Sequence, residues 1–423
     1  MKKIIMMLVT MMLGLMPAVA EEIGYTTTYV NLGRQSAVLY QPTVKSKKTA
    51  IGIIVMHSHE DYFNFPANSE LSKRGYTVIA TNPSSTNIIE NKVLNIKACV
   101  DYLRNRGDIR KVILLGHSGG ATVITAYQYL AEQGRDGLKG MLYQDYSDRI
   151  VHLPKADGLL LLDANPGLST IMINSLDPNV TDESTGMKLL SGEYTYDKEH
   201  KYMQGQQERY ARLVAKAQKR LALIKAGKGL YTDDEPFIIP GSESIRMFNK
   251  LYSSDTKLLS HTIEKWPLIH VNASITNEII HSVRAPFYPI DKTELLSSAQ
   301  QLTVRSFLSM YSITTNNDYE VTPTGFRGID FTSNLSSPIG NIRGITVPSL
   351  FMGMTGSYEY VSSEAIYNNS PAKDKSMAFV EGASHMFNAD KQAEDYNHAD
   401  YGDTMKNLFD YVDKWLSTDH RFM

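Results

Sequence analysis

Five residues, Gly116, His117, Ser118, Gly119 and Gly120, separate an apolar run from Val112 to Leu115 from a stretch with helical spacing that reaches from Ala121 to about Gln133. A strand, a sharp turn and a helix therefore meet at one serine. Glycine at 116 and 120 leaves the turn without Cβ atoms on either flank, so the Ser118 hydroxyl can project above the ends of the strands. That makes Ser118 a candidate nucleophile. A serine hydroxyl is a weak nucleophile at neutral pH, and it needs a base within hydrogen-bond reach and a third group to orient that base.

The strand, turn and helix around Ser118 resemble the nucleophile elbow of the α/β-hydrolase superfamily, in particular its serine esterase and lipase-like members with a large cap insertion. The resemblance implies the chain order serine, acid, histidine. His385, in the segment Val380 to Phe387, resembles the loop after the final strand that carries the catalytic histidine in this superfamily. Of the other histidines, His152, His200, His261, His270, His281, His398 and His420 have no comparable position. For the acid, the superfamily usually shows Gly-x-x-Asp after its penultimate strand, and Gly356 to Glu359 matches that pattern with glutamate at the end, three residues later than usual. Glu359 is thus expected to hold the imidazole. Asp163 is the alternative acid: it ends the strand after the elbow, where some relatives place theirs, although its segment to Gly167 also reads as a hinge. Two backbone N–H groups should bind the oxyanion. The resemblance assigns one to Gly119 and the other to His59, in a loop where Ser58 stands in place of the usual glycine.

Most of the remaining chain reads as a scaffold for such a site. Ile51 to Met56, Tyr76 to Ala80, Val112 to Leu115 and Leu159 to Leu162 are apolar runs without alternation, separated by helical stretches such as Ile88 to Arg106. Strands of that kind belong to a parallel sheet covered on both faces. Thr26 to Leu32 and Ala37 to Tyr40 read as an antiparallel pair at its start. Val347 to Met352, Met377 to Val380 and a helix from about Thr404 to Leu416 resume the pattern. The expected fold class is α/β, an α/β-hydrolase fold with a mostly parallel sheet of about eight strands flanked by helices. Residues 21–165 and 344–423 form its core. Residues 166–343 read as a mostly helical cap inserted after the sixth strand. Tyr210, Leu213, Val214, Ala217, Leu221 and Ile224 fall on one face of a basic helix ending at Gly227, and further helical pieces are expected at Ile245 to Leu251 and Leu258 to Lys265. Tyr194, Tyr196, Trp266 and Tyr288 are candidates to line a pocket for an apolar or aromatic group of a substrate.

Lys2 and Lys3 precede an apolar stretch from Ile4 to Leu15, then Pro17 and Ala18 to Ala20. Residues 1–20 read as a bacterial-type signal peptide cleaved after Ala20, which implies a periplasmic or secreted protein. The apolar stretch is shorter than the roughly 20 residues a membrane span needs, and no integral span is expected in the mature chain. Cys99 is the single cysteine, so no internal disulfide forms and stability must come from the core. The formal net charge of −2 gives no polyanion-binding surface, which argues against nucleic acid as a partner.

A rival chemistry lies in the same loop, because His57, His59 and Asp61 fit the H-x-H-x-D spacing of metallo-β-lactamase-like hydrolases. Tyr62 stands where those enzymes have a further histidine. Thr232 to Glu235 is an acidic run with a calcium-like look that reads equally as a solvated turn. The expectation is an exported serine hydrolase, cleaving small carboxylic esters through an acyl-serine intermediate with no cofactor or metal. An amidase or peptidase with the same triad, a metal-dependent hydrolase at His57, His59 and Asp61, and a non-catalytic binding protein on a hydrolase scaffold are the alternatives.

Overall fold

The computed structural model describes residues 23–180, 199–242, 255–286 and 299–423. The expected signal peptide, the helical piece at Ile245 to Leu251, and Tyr194, Tyr196 and Tyr288 lie outside the described residues. No helix among the described residues is long and apolar enough to cross a membrane.

The chain opens with an antiparallel hairpin, β1 (Tyr25–Asn31) and β2 (Ser36–Pro42). Then strands and helices alternate: β3 (Ile51–Val55), α1 (Pro66–Lys73), β4 (Thr77–Thr81), α2 (Ile89–Arg104), β5 (Lys111–Ser118), α3 (Gly120–Gln133) and β6 (Gly158–Ala164). Every residue of β3, β4 and β6 is buried, as a sheet packed on both faces requires. Side chains alternate between two cores. Ile54, Leu114, Leu159 and Leu161 meet α2 and α3 through Val93, Ile96, Val123 and Tyr127. Ile53, Val55, Leu115, Leu160 and Leu162 face the other way, toward Leu71 of α1 and the carboxy-terminal helix.

The middle of the chain contributes α4 (Leu168–Asn174), α5 (Glu199–Lys225), β7 (Pro236–Pro240), β8 (His261–Ile269), β9 (Ile275–His281), β10 (Ala299–Thr303), α6 (Val304–Met310), β11 (Thr314–Thr322) and β12 (Gly325–Asp330). After it come β13 (Ser349–Met354), α7 (Tyr360–Asn369), β14 (Lys375–Val380), α8 (Lys391–Asn397) and α9 (Thr404–Leu416). The main sheet has the order β1-β2-β4-β3-β5-β6-β13-β14-β8-β9. From β4 to β14 all neighbours are parallel, and β2 joins β4 antiparallel. The first eight of these strands, in this order, make the α/β-hydrolase fold, with the long insertion leaving after β6.

Two features of the insertion depart from the expectation. Its long basic helix α5 is present, and Gly227 closes it at φ +68°, a conformation that suits glycine. The rest carries much more strand than expected: β7 pairs with β10, β11 pairs with β12, and β8 with β9 extends the main sheet beyond β14. Leu258 to Lys265 is a turn running into β8 and not a helix. The cause is tertiary. The Glu364 carboxylate on α7 accepts the N–H groups of Ile263 and Glu264 and the indole N–H of Trp266, satisfying donors where the β8–β9 register breaks between His261 and Lys265. Trp266 packs edge-on against Tyr367 at 4.9 Å.

Candidate active site

Three strands of the sheet end on one small volume. Ser118 terminates β5 at φ +51°, and Asp163, near the end of β6, has φ +49°. The ladder between these strands shifts at this place, so that His117 opposes Leu162 and Ser118 opposes Ala164. A positive φ is uncommon for any residue other than glycine, and two such residues on adjacent strand ends mark a locally constrained backbone. The turn leaves no room for side chains at its glycines: a methyl group on Gly116 would stand 2.8 Å from the Ala121 Cα, and one on Gly120 2.6 Å from the Met56 carbonyl oxygen. The loop after β3 is therefore pressed directly onto the turn that carries Ser118.

His385 comes to this place from the loop after β14. Its Nδ1 lies 2.6 Å from an Asp163 carboxylate oxygen, and the other Asp163 oxygen accepts the Met354 N–H at 3.1 Å. Asp163 is fully buried. Glu359, which had been expected against Nδ1, stands on the opposite side of the ring, with its Oε2 3.8 Å from Nε2. The displacement has a plain cause: Gly356 is held by a hydrogen bond from its N–H to the Ala383 carbonyl, and the turn continues to Glu359, which caps the start of α7 on the Ser118 side of the imidazole. The Glu359 Oε2 is buried and has no hydrogen-bond partner. One imidazole is thus flanked by two buried carboxyl groups.

The electrostatics separate those two groups. Burial pushes the Glu359 carboxyl up to about 8; the charge of His385 and a hydrogen bond from the Ser118 hydroxyl act the other way, and the Asp163 carboxylate adds to the rise. Burial by itself would lower His385, but the Glu359 charge together with the hydrogen bond and charge of Asp163 outweigh it, and His385 is raised above the usual imidazole value.

Residue 117 ties His385 to the strand that carries Ser118. The His117 Nε2 is 2.7 Å from the His385 carbonyl oxygen, and its Nδ1 is 2.6 Å from the Tyr62 hydroxyl. A carbonyl oxygen only accepts, so Nε2 carries the proton and Nδ1 accepts from Tyr62. The rings of His117 and His385 lie 4.4 Å apart. Tyr62 and His117 were not anticipated as site residues. The motif marks position 117 as variable, and nothing in the sequence brings Tyr62 to it.

The loop after β3 also differs from expectation. The His59 N–H donates to the His57 Nδ1 at 3.1 Å, so it is engaged within its own loop instead of being offered to the region above Ser118. The Glu60 N–H joins it on the same nitrogen at 2.9 Å. Lys92, buried on α2, donates to the carbonyls of Ser58 and Ser84 and pins the loop; burial brings its ammonium down to about 8. The His59 ring contacts the Ser58 hydroxyl, Asn87 and, from the insertion, the Tyr311 hydroxyl at 2.9 Å. Asp61 accepts from the Phe63 N–H and the Asn82 amide. The side chains of His57, His59 and Asp61 are thus turned to separate local partners and do not converge as ligands. Among the described residues, the one group of three side chains close enough to share a metal ion is Asp163, Glu359 and His385. There the 2.6 Å approach of Asp163 to Nδ1 is a hydrogen bond, and it uses the lone pair or proton a metal would displace. The acidic run in the insertion is likewise occupied, with Glu235 taking Arg220 and Asp234 the N–H of Arg305.

No protein-family model matches the chain, and no curated protein matches it. Solved structures do. A hypothetical protein from Pseudomonas aeruginosa shares 12% identity over 97% of this chain and 99% of its own, with a TM-score of 0.41. A hormone-sensitive lipase from a metagenome library shares 12% over 93% and 86%, with a TM-score of 0.43. A carboxyl esterase from the mycorrhizal fungus Tuber melanosporum shares 10% over 95% and 90%, with a TM-score of 0.42. At these identities and TM-scores nothing about chemistry carries over from them, and the functional reading rests on the residues of this chain.

Proposed function

We propose that the protein is a serine hydrolase that cleaves small carboxylic esters through an acyl-serine intermediate. The single observation that supports this reading most strongly is a serine in a left-handed strand-to-helix turn, with a fully buried aspartate on the adjacent strand end that holds a histidine by its Nδ1 at 2.6 Å. In this mechanism the Ser118 Oγ attacks the ester carbonyl while the His385 Nε2 takes its proton. Asp163 keeps the Nδ1–H in place and stabilises the imidazolium that forms. The Gly119 N–H, at the start of α3, donates to the oxyanion. Collapse expels the alcohol, to which His385 returns the proton, and water repeats the sequence to release the acid. Asp163 takes the orienting role because it faces Nδ1. Glu359 faces Nε2, the nitrogen that must exchange a proton with Ser118, so an ionised Glu359 would compete for that proton. No metal or cofactor is needed for these steps. The lysines, apolar stretch and small residues of positions 1–20 support export.

The test is fluorophosphonate labelling followed by intact mass, with and without EDTA. The expected result is one adduct per chain, absent in Ser118→Ala and indifferent to EDTA. An unlabelled wild-type protein whose ester hydrolysis is abolished by EDTA would move the chemistry to a metal site.

A further inference from the structure

An oxyanion formed on Ser118 needs more than the Gly119 N–H, and the amide expected to assist it, that of His59, is engaged with His57. The His57 ring supplies what the amide does not. Its Nδ1 accepts two backbone N–H groups, those of His59 and Glu60, so in the neutral ring the proton must sit on Nε2. That Nε2 lies beside the nucleophile turn: a methyl group added to Gly119 would stand 3.0 Å from it and closer still to the Ser58 hydroxyl. The ring is buried and stacked on Tyr62 with centroids 4.8 Å apart, so it has little freedom to rotate away. We infer that the His57 Nε2–H is the second oxyanion donor, a side chain doing what a loop amide was expected to do. The inference rests on the acyl-serine reading above.

The chemistry balances simply. As the Ser118 Oγ–carbon bond forms, the carbonyl π electrons move to oxygen, and the Nε2–H donates a hydrogen bond to that oxygen without giving up its proton. When the intermediate collapses the electrons return and the bond to Nε2 weakens. The donor must be neutral to keep its single, fixed tautomer, and burial with the nearby charges of His59, His385 and Lys92 holds His57 well below the usual imidazole range. A side chain at position 119 would collide with the Ser58 hydroxyl and crowd the space between Nε2 and the oxyanion.

Two substitutions separate this role from a structural one. Asparagine keeps an acceptor where Nδ1 stands and has nothing at the position of Nε2; glutamine places an amide N–H near the position of Nε2. With a short-chain p-nitrophenyl ester, His57→Asn should lower kcat on the order of 10²- to 10³-fold. KM should change less than about threefold, because the donor acts on the developing charge. Affinity for benzeneboronic acid, which forms a tetrahedral adduct on the serine, should fall in parallel, and His57→Gln should recover about tenfold or more of kcat. Nitrogen-15 NMR of the wild-type protein at pH 7 should show the Nε2–H tautomer for His57, and an Nδ1–H tautomer would overturn the inference without any substitution. A His57→Asn enzyme within about threefold of wild type, beside an inactive Ser118→Ala, would overturn the inference and leave the serine mechanism standing. A Ser118→Ala enzyme with wild-type kcat would remove both.

Discussion

Glu359→Gln should change the pH dependence of stability more than any other substitution at the site. The Glu359 side chain is fully buried, its Oε2 has no partner, and burial moves its carboxyl from 4.5 to about 8. At 1.36 kcal/mol for each pKa unit, ionising it in the folded protein is less favourable than in the unfolded chain by on the order of 5 kcal/mol. The sign follows from proton binding. Below about pH 4.5 the carboxyl is protonated in both states and contributes no difference. Between that value and about 8 the unfolded chain releases the proton while the folded chain keeps it, so folded wild type loses stability as pH rises; above about 8 the whole difference has been lost. Glutamine does not titrate. Urea denaturation of both proteins at pH 4.5, 6, 7.5 and 9, followed by the fluorescence of Trp266 and Trp415, should show the variant gaining on wild type at each step. The gain from lowest to highest pH should reach several kcal/mol. A stability difference that stays constant across this range would refute the claim that Glu359 is a desolvated carboxyl kept protonated by its surroundings.

The same two carboxyls separate in kinetics. Asp163→Asn should cut kcat by about 10⁴-fold, since the amide no longer fixes the imidazole in the tautomer that accepts the serine proton, whereas Glu359→Gln should cost less than about tenfold; steady-state rates with the reversed ranking would exchange their roles. In wild type the rising limb of kcat/KM against pH should lie above the ordinary imidazole value of about 6.5, because His385 is raised; a limb at or below that value would refute the shift. Tyr62→Phe leaves the buried His117 Nδ1 without its donor and should destabilise the protein by roughly 1–3 kcal/mol in thermal or urea melts; a stability equal to wild type would show that the hydroxyl holds nothing.

The parts of this protein that were legible in its sequence are those set by local pattern. Parallel strands buried on both faces read as unbroken apolar runs, and the helix at Thr404–Leu416 was expected within the limits it has. Ser118 and His385 stand in signatures of strand, turn and loop, and the structure brings both to the strand ends. What was hidden is set by distance in the fold. Leu258 to Lys265 has a mixed pattern that a helix could satisfy, and a single carboxylate, Glu364, about a hundred residues away decides otherwise. The acid was ambiguous for a related reason. Spacing from a glycine suggested Glu359, but which face of the imidazole each carboxyl meets depends on the backbone at Asp163, whose left-handed conformation no pattern of residue types announces. The oxyanion loop shows the limit most sharply: His57 and His59 invite comparison with metal ligands and with loop amides, and only the direction of two N–H groups distinguishes those readings.

Precision at this site comes from direct links between the elements that carry its groups. The turn holding Ser118 is packed on the loop after β3 so closely that glycine is required at 116 and 120, which leaves that loop no independent position. Lys92 fixes the loop from the helix side, at the Ser58 carbonyl. On the opposite flank His117, the residue before Ser118, binds the backbone of His385, the proposed base. Asp163 holds the other end of that imidazole and, through its second oxygen, the end of β13. Ser118, His385 and the loop after β3 are therefore each tied directly to the strand ends of the sheet. Such preorganisation matters because hydrogen-bond donors that are already aimed at a developing charge need not reorient when it forms, and in a buried site each is worth more than it would be in water. The insertion touches the site through Tyr311, whose hydroxyl meets His59 on the far side of the loop. The insertion also reaches the strand ends through β8, which pairs with β14 just before the loop of His385, so a change in how it sits acts on both flanks of the site.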